Sequence, residues 1–410
     1  MSRWGWTGLL LVGGGALGGV PGLLLIGAMM TLVAALTTAW SRFGLRAVRF
    51  ERRLGRDRVA FGEEIPLEVS VWNAKLLPLA WLEVSDLVSD GAVVRELRLA
   101  RSERPGSSVM RTLWTLGSFE EVVRHFHIVG DHRGAYRLGP ARLQVADLFG
   151  RESALREDPG DLGYLVLPRT VPVRLATPEV FPLGGHRARQ GLHEDPALFA
   201  GVRPYQPGDP RTRLHWRATA RTGRPVSKRF EPATLRQTMI ALDVQTFEGP
   251  HWEMTFDEEV LEGLMVAAAS LGRHLITAGG ACGLAAYGWT AQRSRLAWVP
   301  AGTGEGRLAA IVDTLARMSP FASAPFASLL GELPRRLEPA TSVLILSSRN
   351  PAQHLGAEIA LARSGFPVTH VALGEHADEW AAQARDAGMA ALVARLPAGW
   401  RASEALDLAG

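Results

Sequence analysis

The chain has 410 residues, a hydrophobic fraction of 47% and a formal net charge of +4, values of a folded protein with room for two or three cores rather than of a disordered one. Of its 45 cationic side chains only Lys75 and Lys228 are lysines, a chain-wide bias that makes arginine position more informative than arginine number. The single cysteine, Cys282, excludes a disulfide framework or a paired-cysteine metal site and reads as a small buried hydrophobe.

No charged residue occurs from Trp4 to Trp40, a stretch too long for one membrane span and enough for two short ones. Gly18 to Gly22, read GGVPG, supplies turn residues in its middle, so a helical hairpin is predicted over 4–19 and 22–40. Gly13, Gly15 and Gly18 also satisfy a GxGxxG pattern, but without the strand context of a dinucleotide site. Small residues four apart, Gly14 and Gly18, instead suit close helix approach. A cleaved signal peptide is disfavoured by the length of the apolar stretch. Arg3 before the stretch, and Arg42, Arg46, Arg49, Arg52, Arg53, Arg56 and Arg58 behind it, place both flanks in the cytoplasm. The expectation is a multi-pass protein of the bacterial plasma membrane with the bulk of its chain cytoplasmic.

From about Val48 to Ala154 the pattern becomes short alternating segments, 65–73, 79–88, 122–130 and 134–147, which predict antiparallel strands in a β-sandwich-like domain. His125 and His127 share a strand face near His132, which reads as ordinary strand-face histidines ahead of a metal site.

The segment GVRPYQPGDPRTRLHWRATARTGRP, residues 201–225, concentrates arginine. Asp209 and Pro210 predict a helix start and Gly223 a left-handed stop, giving a helix over about 210–221. Arg213, Arg217 and Arg221 then stack on one face with Arg224 just beyond, a like-charge stripe that asks for an anionic partner. Leu214 and Ala218 are expected to pack on the domain below, and Trp216 to stack on a guanidinium. Asp209 and Glu231 are alternative internal partners for the arginines.

After Arg236 strands alternate with helices: strands at 238–246, 281–288, 342–348, 367–373 and 390–394, helices at 255–280, 305–318, 352–364 and 376–387, the first capped by a Thr255–Glu258 box. This predicts a mostly parallel sheet covered on both faces, with ligands expected beyond the strands' carboxyl ends. The polar residues there are Asp243, Gln245, Thr246, Ser347, Ser348, Arg349 and Asn350. Their simplest role is to hold loop backbone; Asp243 is a weak candidate metal ligand. No GxSxG, HExxH or phosphate-loop motif is present.

The run Gly201, Arg203 and Tyr205, followed by Gly208, Asp209, Arg211, Trp216, Arg221 and Glu231, resembles the signature of a bacterial family called domain of unknown function fifty-eight. The resemblance implies the same order along the whole chain: a membrane hairpin over 1–41, a β-sandwich-like domain over 42–160, a connector with the motif over 161–234, and a von Willebrand factor A-like, Rossmann-like α/β domain over 235–410. The expected class is a membrane-anchored α+β multidomain protein. It further implies a MoxR-type AAA+ ATPase as partner and no established chemistry. Such α/β domains hold a metal with Asp-x-Ser-x-Ser; this chain keeps Asp243 but carries Gln245 and Phe247 at the serine positions and Arg349 near an expected acidic one.

The leading reading is a non-enzymatic adaptor without cofactor, with Arg203, Tyr205, Gly208, Asp209, Arg211, Arg213, Trp216, Arg217, Arg221 and Glu231 as the partner-binding set. Its rivals are an envelope scaffold without an ATPase, a metal-dependent enzyme using Asp209, Asp243 and His215, and a nucleic-acid binder stacking bases on Tyr205 and Trp216.

Overall fold

The computed structural model describes residues 3–146, 152–176, 194–206, 211–232, 237–250, 252, 255–288 and 295–410. The chain divides into two compact units, 1–167 and 168–410, each treated by itself below.

The first unit opens with two helices, Arg3–Gly18 and Pro21–Phe43, joined through Gly19 in the left-handed region and Val20. Their closeness rests on glycines other than those expected. A Cβ at Gly27 would lie 2.6 Å from Val12 N, one at Gly15 2.7 Å from Leu24 N, and one at Gly8 2.7 Å from Thr31 Oγ1, whereas Gly14 faces open space and Gly18 meets only Val20 at 3.8 Å. Gly8 and Gly15 lie seven residues apart and so share a helix face, which Gly14 and Gly18 do not join. Most of the remaining apolar surface is uncovered, with Leu10, Leu17, Leu25, Met29 and Leu32 all exposed. By length and hydropathy, the helix among the described residues that qualifies as a membrane span is Glu258–Thr277 of the second unit, 72% buried in that unit's own core; Pro21–Leu36 is a shorter apolar helix.

Two sheets follow, antiparallel except where the two-residue strand 58–59 lies parallel to 162–166. One has the order 48–54, 64–73, 121–129, 93–94; the other runs 58–59, 162–166, 134–146, 79–89, 107–116, 100–101, with 152–158 paired on 134–146. The strand Glu64–Asn73 shows why: Ile65, Leu67, Val69, Val71 and Asn73 are buried and alternate with less covered residues, the period-two pattern of a sheet with one face in a core. Leu67, Val69 and Phe126 of one sheet share a core with Val84, Met110, Trp114 and Leu143 of the other.

One ion pair crosses this core. Arg52 Nη1 lies 2.5 Å from Asp86 Oδ1, both side chains almost fully buried, and Arg52 Nη2 donates to Gly160 O at 2.6 Å. Asp86 Oδ2 finds no partner. Burial outweighs the guanidinium and pushes the Asp86 carboxyl up from 3.8 to about 6.

The second unit is built on an eight-stranded sheet in the order 173–175, 406–409, 390–395, 368–373, 342–347, 237–242, 281–287, 296–302. The five strands from 281–287 to 390–395 run parallel; 296–302 and 406–409 pair antiparallel at either end, and the three-residue strand 173–175 adds in parallel to 406–409 as one edge. Side-chain alternation sends Met239, Ala241, Val343 and Ile345 towards the helices Phe326–Glu332 and Leu355–Arg363. The fully buried run of Glu258–Thr277 covers the opposite face. All five predicted strands and four predicted helices are present. The outer strands 173–175, 406–409 and 296–302 and the helix 326–332 are additions, all short or part-exposed and so without strong periodicity. Helix 258–277 is capped by Asp257 Oδ1, which accepts from Val260 N, in place of the predicted Thr255 box; Thr246 Oγ1 accepts from Asp257 N and sets that cap. Cys282 is buried as expected, and burial pushes its thiol up to about 12.

A folded-state value above the unfolded one means that Asp86 favours the fold while protonated. Its contribution is fully present below pH 3.8 and is lost as pH rises through about 6. Asp86→Asn should therefore flatten the decline of stability across that window, measured as hydrogen exchange of the strands 48–54 and 79–89 at a series of pH values.

Candidate functional site

The sheet's topology marks one place for chemistry. Strand 237–242 has 281–287 on one side and 342–347 on the other, so the helical connections leave in opposite directions and the carboxyl ends of 237–242 and 342–347 form the switch point at which sheets of this kind place their crevice. Asp243 sits at the end of the first strand, and Ser347, Ser348 and Arg349 at the end of the second.

These groups form a buried ionic cluster. Arg349 Nε and Nη2 both donate to Asp243 Oδ2, at 2.8 and 2.7 Å, and Ser347 Oγ donates to the same oxygen at 3.2 Å. Asp243 Oδ1 accepts from Gln245 N at 3.2 Å, and Arg349 Nη1 donates to Gln353 Oε1 at 2.5 Å. Asp243 and Arg349 are 2% and 5% exposed, so the pair is desolvated and each charge depends on the other. The one candidate metal ligand thus has a guanidinium on the oxygen a cation would take. Gln245 Nε2 donates to Phe247 O and Gly249 O and Asn350 Oδ1 accepts from Ala352 N, as expected of strand ends, whereas Ser348 Oγ is buried without a hydrogen-bond partner among the described residues.

The cluster continues into residues that sequence reading passed over. His354 Nε2 lies 3.4 Å from Ser347 Oγ, and His354 Nδ1 lies 2.7 Å from Glu358 Oε1. His370 Nδ1, from the adjacent strand 368–373, reaches the same Oε1 at 3.0 Å, and its ring stacks on that of His354. All three are buried. Burial would raise the Glu358 carboxyl, but the hydrogen bonds from His354 and His370 outweigh it and hold it down to about 2. The only sequence signal for this triad is the four-residue spacing of His354 and Glu358 at the start of a helix; His370 lies in a strand buried at every position.

The arginine motif is carried by other elements than this cluster. A two-stranded antiparallel ribbon, 194–204 with 226–232, carries it, pairing Arg203 with Ser227 and placing Tyr205 N on Pro225 O. Between the strands come a 3-10 turn, Arg211–Arg213, and a helix, Trp216–Thr222. This helix is shorter than the predicted 210–221 because Leu214 bridges to Ser227 and His215 N donates to Val226 O, which tie the chain to the ribbon before the helix starts. His215 Nδ1, accepting from Ala218 N at 3.1 Å, is the cap; Gly208, Asp209 and Pro210 lie outside the described residues, as do the side chains of Arg211 and Glu231. Gly223 ends the helix at φ 68°, as expected.

The stripe is correspondingly reduced. Arg217 and Arg221 share the helix face and are exposed, as is Arg224, while Arg213 is half-buried in the preceding turn. No residue of the helix is buried, so Ala218 does not anchor it in a core. Trp216 is 69% exposed and, among the described residues, has no guanidinium over its ring, in contrast to the expected stacking. Among the described residues no carboxylate lies within ion-pair distance of Arg217, Arg221 or Arg224. The hydrogen bonds of Asp243 do not involve His215, so these two candidate acid-base groups are not brought together. In the first unit His127 pairs with Glu96 and His132 with Asp131, and with His125 they form no convergent ligand set.

Residues 201–367 match the family model described as "Protein of unknown function DUF58". A protein of Bacillus subtilis (strain 168), "Uncharacterized protein YeaD", is 20% identical over 247 residues, 60% of this chain and 57% of that protein; the match thus spans little more than half of the relative's length. Among solved structures, the CARDB domain of the PF1109 protein from Pyrococcus furiosus is similar over 29% of this chain and 86% of its own, at 17% identity and a TM-score of 0.19. The sporulation control protein Spo0M from Bacillus subtilis is similar over 30% of this chain and 50% of its own, at 16% identity and a TM-score of 0.18. Scores this low carry no argument about fold or function.

Removing one partner of a desolvated ion pair leaves an uncompensated charge. Asp243→Leu or Arg349→Met alone should therefore cost about 3–5 kcal/mol in the second unit, whereas the double variant Asp243→Leu/Arg349→Met should recover most of that loss. Urea denaturation of the four proteins measures the coupling directly.

Proposed function

We propose that the chain is a membrane-anchored adaptor that binds an acidic protein surface through its arginine motif. The observation that carries this reading is the exposed set Trp216, Arg217, Arg221 and Arg224: a large aromatic ring and three guanidiniums on a helix and its cap, with no carboxylate partner among the described residues and no buried anchor. Aromatic and arginine side chains dominate the energetics of protein interfaces, and unpaired cations that stay solvated cost the fold little until a partner desolvates them.

The membrane component rests on the two N-terminal helices, whose glycine-lined contact leaves leucines and methionines uncovered in an uncharged stretch flanked by arginine. On this reading the multi-pass anchor lies in the bacterial plasma membrane with the bulk of the chain in the cytoplasm. The sheet order 296–302, 281–287, 237–242, 342–347, 368–373, 390–395 supports a von Willebrand factor A-like domain in the second unit. The Asp243–Arg349 pair fits such a domain working without a cation at Asp243, since the guanidinium supplies that charge. The partner class we propose, on the family resemblance alone, is a MoxR-type AAA+ ATPase.

The test is affinity purification of the tagged full-length protein from native membranes, wild type beside Arg217→Glu/Arg221→Glu, with bound proteins identified by mass spectrometry. Wild type should retain a AAA+ ATPase that the folded double variant loses. Equal recovery of the same partners with both proteins would show that this face is not the docking surface.

A further inference from the structure

Glu358 is a buried carboxylate, and among the described residues no arginine or lysine lies within ion-pair distance of it. The positive charge that a buried anion requires must come from elsewhere. Two imidazoles meet it through the same kind of atom: His354 Nδ1 and His370 Nδ1 lie 2.7 and 3.0 Å from Glu358 Oε1, and the three ligating atoms all fall within 4.8 Å of one another. Glu358 Oε2 and His370 Nε2 are both buried without a hydrogen-bond partner. A purely hydrogen-bonded triad of neutral imidazoles leaves Glu358 Oε2, which a bound cation would also engage, without a partner, and it strains the far side of His354 as well. If its Nδ1 donates to Glu358, a neutral ring turns a lone pair from Nε2 towards Ser347 Oγ, whose proton is directed at Asp243 Oδ2.

We propose that His354, Glu358 and His370 form a binding site for one zinc-class divalent transition metal ion, ligated through the two Nδ1 atoms and the carboxylate. Two imidazoles and a carboxylate, without cysteine, suit zinc or cobalt rather than calcium or magnesium, which favour all-oxygen sets. With Nδ1 on the metal, the proton of His354 moves to Nε2 and donates to Ser347 Oγ, which donates in turn to Asp243, so every group in the chain from His354 to Arg349 has its partner. That is the outer-shell arrangement that fixes a ligating histidine's ring and tautomer. The ion would pin the helix 355–363 to the strand 368–373 and, through Ser347, to the sheet's switch point. All three ligands are buried, so the fourth position that a three-ligand set leaves to water faces the interior rather than open solvent.

The site is distinct from the arginine motif and does not depend on the adaptor reading. Tag-free full-length protein, stripped with chelator and dialysed, is titrated with zinc chloride by calorimetry and with cobalt chloride by visible absorption. Wild type should bind one equivalent, with the cobalt spectrum of low-coordinate nitrogen and oxygen ligation, and its melting temperature should rise with zinc. Glu358→Gln and His370→Asn should each weaken binding more than tenfold, and Ser347→Ala, which keeps all three ligands, about tenfold. His127→Ala/His132→Ala, in the first unit, should bind as wild type does. If the wild type takes up no stoichiometric metal, or if its uptake is unchanged in Glu358→Gln and His370→Asn but lost in His127→Ala/His132→Ala, the proposal is overturned. Should a ligand variant fail to fold, the Ser347→Ala titration and the cobalt spectrum of the wild type still decide it.

Discussion

Two opposite charges removed from water, Asp243 and Arg349, hold together the carboxyl ends of the two central strands of the second unit. Each is tolerable there only because of the other. The pair fixes more than itself: Asp243 Oδ1 sets the turn at Gln245, Gln245 holds the loop at Phe247 and Gly249, and Thr246 sets the cap from which helix 258–277 departs. Ser347, bound to the same carboxylate, carries the connection to His354 and so to Glu358 and His370. A hydrogen-bonded line thus runs through residues of two strands, a 3-10 turn and a helix. The place in the fold where ligands usually enter is in this protein spanned by its own side chains.

The first unit uses the same device in another setting. Arg52 and Asp86 join two sheets through a core otherwise made of aliphatic and aromatic side chains. Each carboxyl keeps one buried oxygen without a partner, but Asp86 has a single guanidinium on the other and is raised, whereas Glu358 is met by two imidazoles there and is lowered. Burial acts in the same direction on both carboxyls; the number and geometry of hydrogen bonds decides which way each ends.

The architecture was legible wherever one physical pattern extended over many residues. Alternation in Glu64–Asn73, the buried run of Gln237–Leu242 and the long apolar face of Glu258–Thr277 each repeat one instruction often enough to be read. Short edge strands and the six-residue-scale helices repeat it too few times. The arginine helix was misjudged for a different reason: its start depends on the pairing of Leu214 and His215 with the ribbon, contacts that are local in space but eleven to thirteen residues apart in sequence. Asp243 and Arg349 were visible as strand-end residues, yet their pairing across 106 residues was not. His370 carried least signal of all, because in a strand of Val, Ala and Leu only the neighbouring helix reveals why a histidine belongs there.

The eight-stranded sheet ends in a three-residue strand, Val173–Leu175, laid along Leu406–Ala409, with Leu406 N donating to Pro172 O. The segment by which the chain enters the second unit is therefore also its outermost strand. Ahead of that strand the entering chain is already fastened to the unit: Val171 N donates to Ser270 Oγ, Arg273 Nη1 to Thr170 Oγ1 and Arg169 Nη1 to Trp400 O. The rim of the sheet is thus moored to helix 258–277 by the residues that lead into it, so a three-residue strand with a single neighbour does not hang on its own ladder alone.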